Sequence, residues 1–310
     1  MLKVVIVMNR FREVIIEISQ NCNLECTMCG FGRMNNSKEK FMTFNRFKEI
    51  YDSVKDRTES IRINGRGEST IHPKFKEIVE YIGKEKEIIL FTNGNYSNPI
   101  INELFNNYNF QLYFSMDSTV KSKLESIRKG IKSERLIQNI KSVQEMNKRP
   151  FIIFTVQEEN IDEIVNIAEF ALSMNCNIIY NVVRRDVGIE SFVELVKQKK
   201  DEILSSFLVV KEMYSMSLLN SYIPDQMAGV VLFENETATC GTTEECPNVK
   251  TELCILYNGD VTPCNMFNPY IYGNINDREL DEILKGDKFN WFLQNHKSYY
   301  YCNNCACLNR

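Results

Sequence analysis

Between residue 14 and about residue 185, short β-rich runs alternate with longer helical stretches, and this rhythm constrains the fold more than any other feature. The strand candidates are VIIEIS (14–19), SIRIN (60–64), EIILFT (87–92), QLYFSM (111–116), FIIFTV (151–156) and CNIIYNVV (176–183). Between them lie stretches such as FNRFKEIYDSVK and SERLIQNIKSVQEM, whose apolar residues recur at spacings of three and four, as on one face of a helix. Parallel strands need such crossovers, so the pattern predicts an α/β fold with a parallel sheet. Six strands with intervening helices fit a partial (β/α)6, TIM-like barrel better than a closed eight-stranded one. The site of such a barrel belongs at the C-terminal ends of its strands.

After about residue 205 the rhythm changes. ELCILYNGDVTPC reads as two short strands around an Asn258-Gly259 turn. DRELDEILKG (277–286) reads as one short helix with Asp277 as N-cap and Gly286 just past its end. The expected division is a barrel over 1–205 and a small α+β, cysteine-bearing domain over 206–310.

The 310-residue chain carries a formal charge of −4 and a pI near 5.5. It therefore lacks the basic field that nucleic acid would require. The apolar run from Val4 to Met8 is too short for a signal-peptide core, and no uninterrupted apolar stretch is long enough to span a bilayer. No membrane partner is expected, and the expected location is the cytoplasm. In a reducing compartment, eleven cysteines read as metal ligands or reactive thiols rather than disulfides. Ten lie in two groups (22, 26, 29 and 240, 246, 254, 264, 302, 305, 307), with Cys176 alone between them and expected to serve packing.

Cys22, Cys26 and Cys29 are spaced C-x3-C-x2-C in the loop after the first strand candidate. Zinc sites usually combine C-x2-C pairs with a fourth ligand. Three thiolates alone suit an iron–sulfur cluster with one open iron. A zinc or disulfide remnant is the alternative.

With these cysteines the sequence resembles the radical S-adenosylmethionine (SAM) superfamily, whose hallmark is this spacing in this loop. The resemblance implies a [4Fe–4S] cluster whose open iron is chelated by SAM. It further implies reductive cleavage to a 5′-deoxyadenosyl radical that abstracts a substrate hydrogen atom, with an electron donor such as flavodoxin or ferredoxin. Met28 stands where the family often has an aromatic residue near adenine. NGRGES (64–69) is similar to the Gly-Gly-Glu region, which implies that Gly65, Gly67 and Glu68 approach the SAM amino group. FTNG (91–94) and FSMD (114–117) end strands as in family members; Ser115 and Asp117 are offered to SAM polar groups, and Arg128 to the SAM carboxylate. Taken singly, the glycines read as a plain turn, Ser115 and Asp117 as a helix cap, and Arg128 as a surface charge.

Cys246, Gly259, Cys264 and the pair Cys302-Asn-Asn-Cys305 resemble the twitch and SPASM extensions of the same superfamily, and YIYGNI (270–275) looks similar too. The shorter twitch form implies one auxiliary [4Fe–4S] cluster held by Cys246, Cys264, Cys302 and Cys305, with a four-cysteine structural zinc site as the alternative. Cys240 and Cys254 are candidate hydrogen-atom donors by analogy with radical epimerases, against inert packing. Cys307 is unassigned.

Asn265 follows Cys264 where sulfatase-maturating enzymes have an aspartate, which disfavours that reaction. About a dozen residues precede the first strand candidate, so an N-terminal leader-recognition domain is not expected in this chain. The leading expectation is modification of a ribosomally made peptide or other natural product by epimerisation, cross-linking or dehydrogenation. A twitch-type aminocyclitol or sugar alcohol dehydrogenase is the alternative. A non-catalytic metal-cluster scaffold is the reading from another class.

Overall fold

The computed structural model describes residues 10–30, 40–183, 190–224, 226–227, 230–232, 246, 248–264 and 269–303. Its main sheet has ten strands: β1 (Phe11–Ile16), β2 (Thr58–Arg62), β3 (Glu87–Thr92), β4 (Phe110–Ser115), β5 (Phe151–Val156), β6 (Asn177–Val182), β7 (Ser221–Tyr222), β8 (Glu252–Ile255), β9 (Asp260–Thr262) and β10 (Gly273–Asn274). They lie in the order β10-β9-β8-β1-β2-β3-β4-β5-β6-β7. From β8 to β7 every pairing is parallel, and β9 and β10 add antiparallel at one edge.

The helices are α1 (Phe44–Val54), α2 (Phe75–Ile82), α3 (Ile100–Asn107), α4 (Lys121–Ile127), α5 (Ser133–Glu145), α6 (Ile164–Ser173), α7 (Glu190–Gln198), α8 (Lys200–Ser215), α9 (Leu280–Lys285), α10 (Asp287–Asn295) and α11 (Tyr300–Asn303). In α1 the buried residues Phe47, Ile50, Tyr51 and Val54 recur at three- and four-residue intervals, the stripe an amphipathic helix turns to a sheet. Val14, Ile16, Ile61, Leu90, Phe114, Phe154 and Ile178 of the strands join that stripe in one apolar core. Burying each such side chain contributes about 1.5–3 kcal/mol.

Because successive strand residues point to opposite faces, the alternate residues line the inner, concave side. That side is partly polar and partly aromatic. Glu13 and Arg62 form an ion pair. The Arg62 guanidinium lies over Phe91 at 4.9 Å, and Tyr113 stacks between Phe91 and Phe151 at 4.3 and 4.6 Å.

Three details differ from the sequence reading. Parallel pairing continues past residue 205, because Ser221–Tyr222 adds to β6 beyond α8. The expected hairpin forms with Gly259 at φ +90°, but its first strand also pairs in parallel with β1, so the C-terminal segment extends the barrel sheet. The helix expected over 277–286 begins at Leu280 with Glu279 as N-cap. Asp277 is held in a turn in which the backbone N–H groups of Asp277 and Arg278 both donate to Asn274 O. Gly286 keeps φ −72° and also opens α10.

Candidate active site

The loop leaving β1 is pinned along its length. Gln20 N–H donates to Lys40 O at 2.9 Å, and Thr27 N–H donates to Ile127 O at 2.8 Å. Glu25 and Cys26 pair antiparallel with Lys129 and Arg128. The Cys29 N–H donates to Cys26 O at 3.2 Å, closing a tight turn. These contacts hold all three cysteines at the C-terminal mouth of the barrel, with Cys26 buried and Cys22 and Cys29 half-buried.

Two side chains from other elements reach the sulfurs. Asn93, just past β3, places Nδ2 3.8 Å from Cys22 Sγ and donates to Asn23 Oδ1 at 2.8 Å. Arg128 places Nη1 3.9 Å from Cys26 Sγ, and its Nε forms an ion pair with Asp117 Oδ2 at 2.7 Å. Burial above all, with the Glu68 charge second, pushes the Cys22 thiol up to about 12, and burial also raises Cys26 while Arg128 opposes it. Without a metal these thiols stay protonated, so loading an iron cluster releases protons. Among the described residues no three His, Cys, Asp or Glu side chains gather around a single ion. The donor set fits a multi-iron cluster: three thiols face one loop, with amide and guanidinium donors turned toward two of the sulfurs.

Gly65 and Gly67 form the turn after β2 that braces this loop. A Cβ on Gly67 would lie 2.3 Å from Asn21 O, so only glycine lets the turn approach the residue before Cys22. Glu68 N–H donates to that same carbonyl at 2.8 Å. The Glu68 carboxylate, expected to face SAM, is instead used inside the protein. Oε1 accepts from Thr70 N–H, Thr70 Oγ1 and Thr92 Oγ1, and Oε2 accepts from Asn93 N–H at 2.7 Å. Asp117 is likewise committed, Oδ1 to Thr155 N–H at 2.7 Å and Oδ2 to Arg128. Both carboxylates tie strand ends together; Arg128 is buried with Asp117, while Gly65, Gly67, Ser115 and Met28 are half-buried.

Glu17 is a feature the sequence reading missed. It is fully buried past the end of β1, Oε1 accepting from Arg66 N–H at 2.8 Å and Oε2 from Tyr257 N–H at 3.3 Å. It thereby locks β1, the glycine turn and the C-terminal hairpin together. Burial raises its pKa from the ordinary 4.5 despite these donors. The folded chain therefore holds this proton more tightly than the unfolded one. The group's contribution is fully present below about 4.5 and is lost as pH rises through the folded value. Glu17→Gln turns an amide NH2 onto one of two N–H donors; a loss of about 1–3 kcal/mol and a flatter fall of melting temperature with rising pH are expected. Thermal melts of the metal-free protein from pH 4.5 upward check both.

The second cysteine group lies beyond β8. Cys264 follows β9 and Cys302 sits in α11, its N–H donating to Tyr299 O at 2.9 Å. Cys246 and Cys264 are half-buried and Cys302 is buried. Cys240, Cys305 and Cys307 lie outside the described residues. Burial above all, then the charges of Cys264 and Cys302 and, after Tyr270, of Cys246, push the Tyr272 hydroxyl pKa upward. Among the described residues the Tyr272 Oη has no hydrogen-bond partner, a burial that ordinarily costs about 1–3 kcal/mol. The ring nitrogens of buried His296 are also without a partner among the described residues. Three thiols and an orphaned donor fit an iron–sulfur cluster whose sulfurs accept hydrogen bonds.

Cys254 lies on β8. It is sealed between Ile15 and Leu256 on the inner face at 0% exposure, and burial pushes its thiol up to about 12. Cys254 therefore presents no solvent-accessible surface in the folded chain. Cys176 is a core residue whose thiol donates to Met174 O at 3.1 Å.

Comparison with known proteins agrees with this geometry. The radical SAM superfamily model matches residues 16–171, and the SPASM iron–sulfur cluster-binding domain matches residues 246–306. The chain is 24% identical to the tungsten-containing aldehyde ferredoxin oxidoreductase cofactor-modifying protein of Pyrococcus furiosus, over 94% of this chain and 86% of that one. It is 27% identical to a probable GTP 3′,8-cyclase of Methanocaldococcus jannaschii over 61% of each. In fold it is similar to SuiB of Streptococcus suis bound to S-adenosylmethionine, at TM-score 0.69 and 16% identity over 97% of this chain and 72% of that one. AdoMet-bound anSMEcpe gives TM-score 0.70 at 15% identity over 96% and 84%. Among the described residues no helix is long and apolar enough to cross a membrane. The cysteine loop at the barrel mouth and the second thiol group thus have one explanation: the chain belongs to the radical SAM superfamily, with SAM, a [4Fe–4S] cluster and an auxiliary iron–sulfur cluster in a SPASM domain as its cofactors.

Proposed function

We propose that this protein activates a C–H bond of a ribosomally made peptide or related natural product, with redox assistance from the auxiliary cluster. The observation that carries the reading is the meeting of Cys22 with Asn93 and Cys26 with Arg128 above a concave face lined by Arg62, Phe91, Tyr113 and Ser115. When bound at Cys22, Cys26 and Cys29, the cluster and SAM would supply the chemistry of hydrogen-atom abstraction. The chain's own residues do the rest. Cys22, Cys26 and Cys29 supply thiolates, Asn93 and Arg128 direct donors at two of them, and the Gly65–Gly67 turn holds the loop. The inner face excludes water from a substrate with its stacked aromatic side chains.

Peptide substrates are supported by the fold: SuiB and anSMEcpe have been seen with a precursor peptide and with a Cp18Cys peptide. A second reading, tailoring of a metal cofactor, is favoured by the Pyrococcus furiosus relative, whose match runs nearly the whole length of both chains.

The test incubates reconstituted protein with SAM, dithionite and short precursor peptides encoded beside its gene, in D2O, followed by mass spectrometry. A loss of two hydrogens marks dehydrogenation or cross-linking, and a gained deuteron marks epimerisation. Unmodified peptide, with 5′-deoxyadenosine release stimulated instead by an aldehyde-oxidoreductase cofactor extract, would transfer the assignment to the second reading.

A further inference from the structure

Among the described residues the hydroxyl of Tyr272 has no hydrogen-bond partner, and the fold fixes where it sits. The residue is 6% exposed. Its backbone N–H donates to Val261 O at 2.8 Å, which sets it beside β9, the strand that leads to Cys264. Its ring meets Phe289 and Phe292 of α10 edge-on, at 5.0 and 5.7 Å. Phe292 in turn packs at 5.8 Å on Tyr299, whose carbonyl holds the Cys302 N–H. The ring is therefore wedged between the strand before one thiol and the turn before another, and cannot swing its hydroxyl out to water. Tyr270, two residues earlier, shows the contrast, because its hydroxyl is satisfied by Lys288 O at 3.1 Å.

We propose that the Tyr272 hydroxyl donates a hydrogen bond to a sulfur of the auxiliary cluster and raises that cluster's reduction potential. This rests on the auxiliary-cluster reading of Cys246, Cys264 and Cys302. A donor aimed at sulfur stabilises the more negative, reduced cluster, and hydrogen bonds to the sulfurs are among the principal levers on such potentials. Tyr272 acts as a positioning residue for the electron, by setting how readily the auxiliary site accepts one.

Tyr272→Phe keeps the ring and its packing and removes only the donor. In full-length, reconstituted protein carrying Cys26→Ala, so that the auxiliary cluster is observed alone, a redox titration followed by EPR reads the effect. Tyr272→Phe is expected to shift the oxidised-to-reduced ratio at a fixed potential about tenfold toward oxidised, about 59 mV for a one-electron couple, with iron content unchanged. Tyr270→Phe is expected to leave the potential in place. Pulsed EPR after D2O exchange is expected to show a strongly coupled deuteron that Tyr272→Phe removes. Full iron with an unchanged potential in Tyr272→Phe overturns the proposal alone. An auxiliary site that holds zinc instead of iron overturns the cluster reading with it. Absence of the coupled deuteron in protein retaining Tyr272 overturns the proposal even where the variant fails to load iron.

Discussion

Cys26→Ala is expected to abolish 5′-deoxyadenosine formation, to below about a thousandth of the parent rate, and to halve the iron content. The Cys26 side chain is one of three thiols in the loop, and it is the buried one, bridged by backbone pairing to Arg128. Removing it leaves two thiolates, too few to hold a cluster that already reserves one iron for SAM. The substitution is small and the loop keeps its backbone bonds to Lys129, Ile127 and Lys40, so the fold should persist. The auxiliary site, built on residues after 245, should keep its iron. A parallel Cys176→Ala variant, which deletes a core thiol with no cysteine partner, should cost about 1 kcal/mol and leave SAM cleavage intact. Iron assay and chromatographic quantitation of 5′-deoxyadenosine with dithionite check both.

Gly67→Ala is expected to have the second-largest effect, through a residue with no side chain. The added Cβ would meet Asn21 O at 2.3 Å and Gln20 C at 2.6 Å, both backbone atoms that cannot rotate away. Relief requires moving either the glycine turn, which Glu17 and Glu68 hold by six N–H and hydroxyl donors, or the segment that positions Cys22. A destabilisation of about 1–3 kcal/mol follows from overpacking. Displacing Cys22 should also reduce iron loading at the first site and weaken SAM binding at least tenfold. Gly30→Ala, in the same loop but with none of the described residues within 4 Å of its Cβ, should fall within about 0.5 kcal/mol of the parent. Thermal melts, iron counts and equilibrium dialysis with labelled SAM separate the two.

Much of the barrel was legible because its strands are buried and β-branched and its helices carry apolar stripes at helical spacing. EIILFT and FIIFTV fall on β3 and β5 residue for residue. The start of β1 was not legible: Phe11–Glu13 pair with β2, yet Arg12 and Glu13 look polar, and the ion pairs of Arg12 with Glu252 and of Glu13 with Arg62 accommodate charged residues there. Parallel addition of β8 to β1 was hidden for the same reason that long-range pairing generally is. The hairpin signal at Asn258-Gly259 is local, whereas the partner strand lies some 240 residues away.

The site shows a similar division. Cysteine spacing pointed to the two thiol groups, but not to what their neighbours do. Glu68 and Asp117 read as ligand-facing because their types suit polar recognition; burial instead made them acceptors for strand-end donors. Asn93, Glu17 and Tyr272 passed unmarked. FTNG put Asn93 at the end of β3 and the Tyr in YIYG was in view, but the 3.8 Å approach of Asn93 to Cys22 and the burial of Tyr272 emerge only in three dimensions.

The most direct test of the account is anaerobic reconstitution of the full chain, with iron and sulfide analysis followed by SAM and dithionite. The account predicts about eight irons per chain and release of 5′-deoxyadenosine with methionine. Fully loaded protein that leaves SAM uncleaved would contradict it.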